Sequence, residues 1–295
     1  MNIAFTINPL GLEGLGATLT SLVRNCSNTQ ELNLWFFCSG CTPAHKSSID
    51  CLLQAELFKG SSNFIDFDAE KEFGHLRSLH GDWSSYGRLL IPDFIRGDTV
   101  LYLDADLIVL TDVLQLERFN FHGHFIAAAG GGKVKYALER EFLMNKLNIT
   151  PEADYFNAGV LLMNLREWER QNVRTQWKEI ANNYPDDLWA VDQTLLNAVC
   201  RGKFAQLPAI FNNAWCPGDK EPPDAASSIV HFVGSPKPWD MFGKTIHHGY
   251  SLWKTYSTAP WNAEFNRLTL SKMKRTWRIK NSILIKMKRK YLQKA

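Results

Sequence analysis

The sequence predicts an α/β protein with a mostly parallel central sheet, flanking helices and a basic helical tail. Three observations carry that reading. Short apolar runs alternate with helical periodicity through the first half of the chain, an apolar run at Thr99–Leu103 passes directly into Asp104-Ala105-Asp106, and cations collect at the C-terminal end. A length of 295 residues, 45% hydrophobic and 21% charged, suits a large globular domain and argues against a fibrous or low-complexity chain.

In order, residues 2–8 read as a buried first strand ended by the turn signal Asn8-Pro9. Leu15, Leu19, Leu22 and Val23 recur at helical spacing, and Ile49, Leu52, Leu53 and Leu57 mark a second helix between strand-like runs at 32–38 and 63–67. Residues 84–91 offer a helix start with Pro92 close behind it. Thr99–Leu103 is the central strand, 125–129 a strand stopped by Gly130-Gly131-Gly132, and 159–163 another. Trp168, Val173, Trp177 and Ile180 mark a helix, 188–200 holds one more, and 228–232 is a last short strand leading into a Gly/Pro loop. The α/β domain therefore covers residues 1–264, and residues 265–295 form a separate tail.

Charge supports that division. From 265 onward there are eleven Lys and Arg and no acid; the 22 remaining cations face 30 acids, so the body carries −8 and the whole chain +3. Within 273–291 the apolar residues Met273, Trp277, Ile279, Ile283, Leu284, Met287 and Tyr291 interleave with the cations as an imperfect stripe. Such a helix suits an anionic membrane surface, at about 1 kcal/mol per nearby cation; the same composition could bind nucleic acid, though no nucleic-acid fold accompanies it, or form a solvated tail packing on the acidic body. The first residues lack the features of a signal peptide, and no apolar run approaches the roughly 18 residues needed to span a bilayer. The expected location is the cytoplasm, on the inner face of the cytoplasmic membrane. Six cysteines should be mostly reduced there, and Cys38 and Cys41 have no second pair to complete a zinc site.

Chemistry concentrates after Thr99–Leu103. Two carboxylates two residues apart point the same way while the chain stays extended, so Asp104 and Asp106 can share a divalent cation at the carboxyl edge of the sheet. An isolated Asp-x-Asp is equally well explained as a solvated turn. Further motifs occur in order: Tyr86-Gly87-Arg88-Leu89, Tyr155-Phe156-Asn157-Ala158-Gly159, Asp192-Gln193 and His231-Phe232-Val233-Gly234-Ser235-Pro236-Lys237-Pro238-Trp239. Together with Asp104-Ala105-Asp106 they resemble the family 8 glycosyltransferases, a retaining group that includes lipopolysaccharide galactosyl- and glucosyltransferases.

The resemblance implies a GT-A fold with a Rossmann-like sheet, a UDP-sugar donor and a glycan or glycolipid acceptor. It makes His231 the third metal ligand beside Asp104 and Asp106, and a nitrogen ligand favours Mn²⁺, with Mg²⁺ possible. Thr6, Ile7, Asn8, Arg88, Ala105, Gly234 and Lys237 fall at donor-contacting positions, and Asn157, Asp192 and Gln193 at the reacting face. Two departures stand out. Asn8 occupies the place of an acid that usually contacts the base, and Gly130-Gly131-Gly132 follows a strand that ends in acids in several relatives. A metal-dependent phosphohydrolase and a non-catalytic nucleotide-sugar binding module are the competing functional readings.

Overall fold

The computed structural model describes residues 1–292, without the side chains of Ser271 and residues 288–292; the predicted stripe residue Tyr291 and the cations Lys288, Arg289, Lys290 and Lys294 thus lie outside the described side chains. The chain runs β1 (Asn2–Ile7), α1 (Leu12–Asn25), β2 (Asn33–Cys38), α2 (Pro43–Ala55), β3 (Ser61–Asp66), α3 (Ala69–Phe73), a 3-10 helix (Ser84–Leu90) and α4 (Ile91–Phe94). There follow β4 (Thr99–Leu103), β5 (Leu107–Val109), β6 (Ile126–Ala129), β7 (Gly132–Lys133), β8 (Asp154–Tyr155) and β9 (Val160–Asn164). Then come α5 (Leu165–Arg170), α6 (Val173–Asn183), α7 (Asp192–Cys200), β10 (Ala205–Leu207), β11 (Asn213–Ala214) and β12 (Ile229–His231). Five helices end the chain: α8 (Gly243–Ile246), α9 (Tyr250–Tyr256), α10 (Ala259–Phe265), α11 (Leu270–Arg278) and α12 (Lys280–Leu292).

The main sheet has the order β10-β6-β9-β4-β1-β2-β3. All neighbours are parallel except β9, which runs against both β4 and β6. The predicted mostly parallel sheet is therefore present, and its central strands are apolar on both faces because helices or loops cover each one. One core packs α1 and α2 against Ile3, Phe5, Leu34, Phe36, Leu101 and Leu103; the other sets α6 and α7 beneath Ala4, Tyr102, Leu161 and Met163.

Topology brings separate segments to one edge. β1 and β4 are parallel and end together, whereas antiparallel β9 begins there, so Asp104 N donates to Gly159 O at 2.8 Å. A small sheet, β11-β12-β5, then pairs His231 with Leu107, the residue after Asp106. Close approach matters here. A Cβ on Gly14 of α1 would lie 2.6 Å from Ala105 O and 2.7 Å from the Trp239 ring, so only glycine lets this helix press against the loop holding both acids.

Several expectations need correction. The helix start expected at 84–91 is a 3-10 helix over Ser84–Leu90, and Pro92 falls in the first turn of α4, where its missing amide hydrogen is not needed. The helix expected over 188–200 starts at Asp192, because Val191 takes a positive φ of 49° that no helix can continue. The expected single stripe is two helices whose apolar residues diverge. Met273 and Trp277 face outward while Ile283 is buried. The short strands β5, β7, β8, β10 and β11 were too brief to register as periodic patterns. None of the six cysteines is in a disulfide.

Behind the small sheet, His247 is buried with its ring 5.0 Å from Phe232 and 5.9 Å from Trp215, centroid to centroid. Its Nδ1 accepts from Gly249 N at 3.1 Å, and Nε2 is buried without a hydrogen bond. Burial, followed by the nearby Lys237 charge, lowers its pKa from 6.5 to about 4. The unfolded chain then binds the proton more readily, so stability is lost as pH falls from about 6.5 toward about 4. His247→Asn, which keeps an acceptor near the Nδ1 position, should lose about 2 kcal/mol less than the parent between pH 7 and pH 5. Urea midpoints at the two pH values measure this, and parallel losses would show that His247 is not the titrating group.

Candidate active site

Asp104, Asp106 and His231 each direct a ligand atom into one space, with those atoms all within 4.8 Å of one another. Each carboxylate is anchored by its outer oxygen. Asp104 Oδ1 accepts from Arg88 Nη2 at 2.9 Å and from the Tyr102 hydroxyl at 2.7 Å, while Asp106 Oδ2 accepts from Lys237 Nζ at 2.6 Å. The inner oxygens remain: Asp104 Oδ2 lies 3.9 Å and Asp106 Oδ1 3.3 Å from His231 Nε2. Asp106 Oδ1 is inaccessible to water and has no hydrogen-bond partner. Burial would raise the Asp106 pKa, but the Lys237 ammonium outweighs it and holds this group well below the usual carboxylate range.

The imidazole's tautomer follows from its other nitrogen. His231 Nδ1 lies 2.9 Å from Asn212 Oδ1, and Asn212 Nδ2 is committed as donor to Asn157 O at 3.2 Å and Asn157 Oδ1 at 3.1 Å. With its amide oriented this way Asn212 can only accept from His231, so Nδ1 carries a hydrogen, and in the neutral imidazole Nε2 then turns a lone pair toward two anionic oxygens. Three electron-rich atoms facing one another fit a divalent cation. Room for the ring comes from Gly159, where a Cβ would stand 2.3 Å from the imidazole and 2.9 Å from Asp104 Oδ2.

Around this triad lie the other predicted residues. Arg88 is buried, stacks 4.2 Å from the Tyr102 ring centroid, and pairs through Nε with Asp192 at 2.8 Å as well as with Asp104. Asp192 is thus the counter-ion on the far side of Arg88, and burial raises its pKa to about 6 against the lowering effect of that guanidinium. Thr6 hydrogen-bonds the Tyr102 hydroxyl at 2.8 Å, Ile7 is buried, and the Ala105 carbonyl accepts from Thr18 at 3.0 Å. Gly234 has a left-handed φ of 80° on the loop leading to Lys237.

Asn8 spends its amide inside the protein. Its oxygen accepts from Gly11 N at 2.7 Å, and its nitrogen donates to Asp82 and to Ser84 Oγ. An acid therefore does reach the end of β1, but from the segment before the 3-10 helix. Of the predicted departures, Gly130-Gly131-Gly132 continues into β7, where Gly132 pairs with Tyr155.

Gln193 and Asn157 belong to a hydrogen-bond chain that starts at His231. From Asn212 it passes to Asn157, whose Nδ2 donates to Gln193 Oε1 at 3.2 Å; Gln193 Nε2 donates to the Tyr155 hydroxyl at 2.7 Å, which in turn donates to Glu139 Oε1 at 2.7 Å. Gln193 Oε1 also accepts from Ala158 N at 2.9 Å. Val191 precedes this group with a strained backbone costing on the order of 1–3 kcal/mol, which the surrounding contacts must hold in place. Sequence reasoning missed Tyr102, Asn212, Asp82, Tyr155 and Glu139. Only Tyr102, within the Thr99–Leu103 run, and Tyr155, within a quoted motif, had a signal.

Comparison with known proteins bears on the family and the fold. The family model described as Glycosyl transferase family 8 matches residues 2–243. General stress protein A of Bacillus subtilis is 26% identical over 82% of this chain and 90% of its own length. Lipopolysaccharide 1,3-galactosyltransferase of Salmonella typhimurium is 28% identical over 61% of this chain and 56% of its own, and glycosyltransferase GlyE of Streptococcus pneumoniae is 26% identical over 63% and 44%. The chain thus spans only about half the length of these last two relatives. Among solved structures, galactosyltransferase LgtC in complex with donor and acceptor sugar analogs superposes with a TM-score of 0.72 at 22% identity, over 89% of this chain and 99% of that one. The sheet order and the extent of the family match together establish that this GT-A-fold chain belongs to glycosyltransferase family 8.

Proposed function

We propose that the protein is a metal-dependent retaining hexosyltransferase, moving glucose or galactose from a UDP-sugar to a lipid-linked cell-surface glycan such as a lipopolysaccharide core. The observation that carries this reading is the convergence of Asp104 Oδ2, Asp106 Oδ1 and His231 Nε2 beside the Lys237 ammonium. These residues would hold Mn²⁺, with Mg²⁺ as a possible substitute. Bound there, the cation would supply Lewis-acid stabilisation of the departing nucleoside diphosphate.

The chain's own residues account for the rest. Arg88 orients Asp104, and Lys237 offers positive charge to phosphate oxygens in a half-buried setting where it counts for more than in water. Thr6, Ile7 and Asn8 end the strand beside which a nucleoside would lie, with Ala105 and Gly234 offering backbone to the sugar and the diphosphate. Asn157 and Gln193 line the space next to the triad, and their amides are fixed by the hydrogen bonds described above. Gln193 Oε1 already accepts two of these, and Asp192 is 2% exposed and ion-paired with Arg88. Both facts favour attack by the acceptor hydroxyl from the leaving-group side over a covalent intermediate.

The tail supports a membrane-bound acceptor. In α11, Lys272 and Arg275 turn toward the body, whereas Leu270, Met273 and Trp277, at i, i+3 and i+7, are exposed. Leu284 and Ile285 of α12 are exposed too. Apolar side chains facing outward among cations such as Lys274 and Lys280 suit an anionic lipid surface at the inner face of the cytoplasmic membrane. Among the described residues, no helix is long and apolar enough to cross a membrane.

Turnover of a panel of nucleotide sugars with manganese tests the reaction. Asp106→Asn and His231→Ala should each lower transfer by about 10²–10³-fold, and Asn212→Ala, which frees the imidazole, by about 10–100-fold. Transfer that survives chelation and these substitutions would remove the metal from the mechanism; donor hydrolysis indifferent to acceptor would identify a phosphohydrolase, and binding without turnover a non-catalytic module. For the tail, sedimentation with phosphatidylglycerol vesicles should fall about tenfold or more in the double variant Met273→Ser, Trp277→Ser, consistent with loss of large buried side chains. Equal sedimentation of parent and variant would refute the membrane role of α11.

A further inference from the structure

Lys237 reaches Asp106 from a loop that lacks regular structure between Phe232 and Asp240, with its Nζ also donating to Phe232 O, so its backbone is placed by side-chain contacts and not by a helix or strand. Asp240 supplies one from within the fold: its Oδ2 accepts from the Lys237 backbone N–H at 2.6 Å. The Asp240 side chain is only 4% exposed, and a buried carboxylate requires a compensating charge. That charge comes from α11. Arg275 Nε donates to Asp240 Oδ1 at 2.8 Å and Arg275 Nη2 to Asp240 Oδ2 at 3.2 Å, a two-point grip on both oxygens. A second tie from α12 lies alongside, with Ser282 Oγ donating to Ser235 O at 2.8 Å.

A continuous path therefore runs from the basic tail through Asp240 and the Lys237 backbone to Lys237 Nζ, and from there to the metal-ligand candidate Asp106. We propose that Arg275 is a positioning residue for the donor: by neutralising Asp240 it fixes the backbone at Lys237, and so directs the Lys237 ammonium at the donor diphosphate. The inference rests on the diphosphate reading of the site given above. Its consequence for domain organisation is that the donor site does not end at residue 264. The docked face of α11 is a part of it, while the opposite face of the same helix is exposed.

The test is equilibrium binding of UDP to the full chain in the presence of Mn²⁺, followed by titration calorimetry. Arg275→Met should raise the Kd about tenfold, roughly 1.4 kcal/mol. Arg275→Lys should recover part of that, since an ammonium can grip one oxygen but not span both. Asp240→Asn keeps an acceptor for Lys237 N without the charge and should weaken UDP in the same direction. Lys254→Met removes an exposed cation from α9 and should leave the Kd unchanged. Circular dichroism at the assay temperature shows whether each variant is folded; should Arg275→Met fail to fold, Arg275→Lys and Asp240→Asn decide the question. Lys237→Met is the reference. If it weakens UDP while the folded Arg275 and Asp240 variants bind like the parent, the positioning role is overturned and the site stands. If Lys237→Met itself binds UDP normally, the diphosphate reading fails instead.

Discussion

The geometry of this protein depends on three electron-rich atoms held in mutual view. Asp104 Oδ2, Asp106 Oδ1 and the lone pair of His231 Nε2 repel one another, and the fold does nothing to separate them. It stabilises each group from behind instead. Arg88 and Tyr102 hold the outer oxygen of Asp104, Lys237 holds that of Asp106, and Asn212 holds the protonated nitrogen of His231. These donors are directed at the outer atoms, and among the described residues Asp106 Oδ1 has no hydrogen-bond partner. A site stabilised only for protein stability would have the opposite character, with cations between the acids instead of outside them.

Such convergence needs backbone from five regions of the chain to meet, and the sheet topology accomplishes it with few residues. Parallel β1 and β4 deliver Thr6 and Asp104 to the same edge, and antiparallel β9 starts where they stop. The short β5–β12 pair then sets His231 next to Leu107 and so beside Asp106, two elements of three residues each achieving what a loop could not fix. Glycines at 14 and 159 remove the side chains that would keep these layers apart. The hydrogen-bond chain from His231 through Asn212, Asn157, Gln193 and Tyr155 to Glu139 ties the imidazole to residues on other segments of the chain.

What could be read from sequence and what could not divide along a physical line. Thr99–Leu103 and the first β-α-β alternation were legible because a strand buried on both faces has to be apolar throughout, and helical spacing is local. Asp104, Asp106 and His231 were legible because their residue types sit in recognisable motifs. The supporting residues were not: Asn212 carries no local pattern, and it acquires its role by meeting Asn157, 55 residues away, and His231. Asp82 beside Asn8 and Asp240 beside Arg275 are of the same kind. The tail was misread as one stripe because periodicity reports which residues share a face, but not which face meets the protein.

That last point gives α11 an unusual physical character. Amphipathic surface helices ordinarily turn their apolar side inward, since burial of such area is what holds them. Here Lys272 and Arg275 face the body, matched to Glu13 and Asp240, while Leu270, Met273 and Trp277 face out. The helix is therefore held by charge, and its hydrophobic surface is left for a second contact. On the reading proposed above that contact is a lipid surface, and one of the two ion pairs that dock the helix, Arg275–Asp240, is the one that braces Lys237. Two binding events that share one helix are thermodynamically linked whenever one of them changes how firmly that helix is docked, and the linkage is reciprocal. A membrane that favours the docked helix would favour donor binding by the same factor that the donor favours membrane association, so that donor binding would be tightest where a lipid-linked acceptor is found.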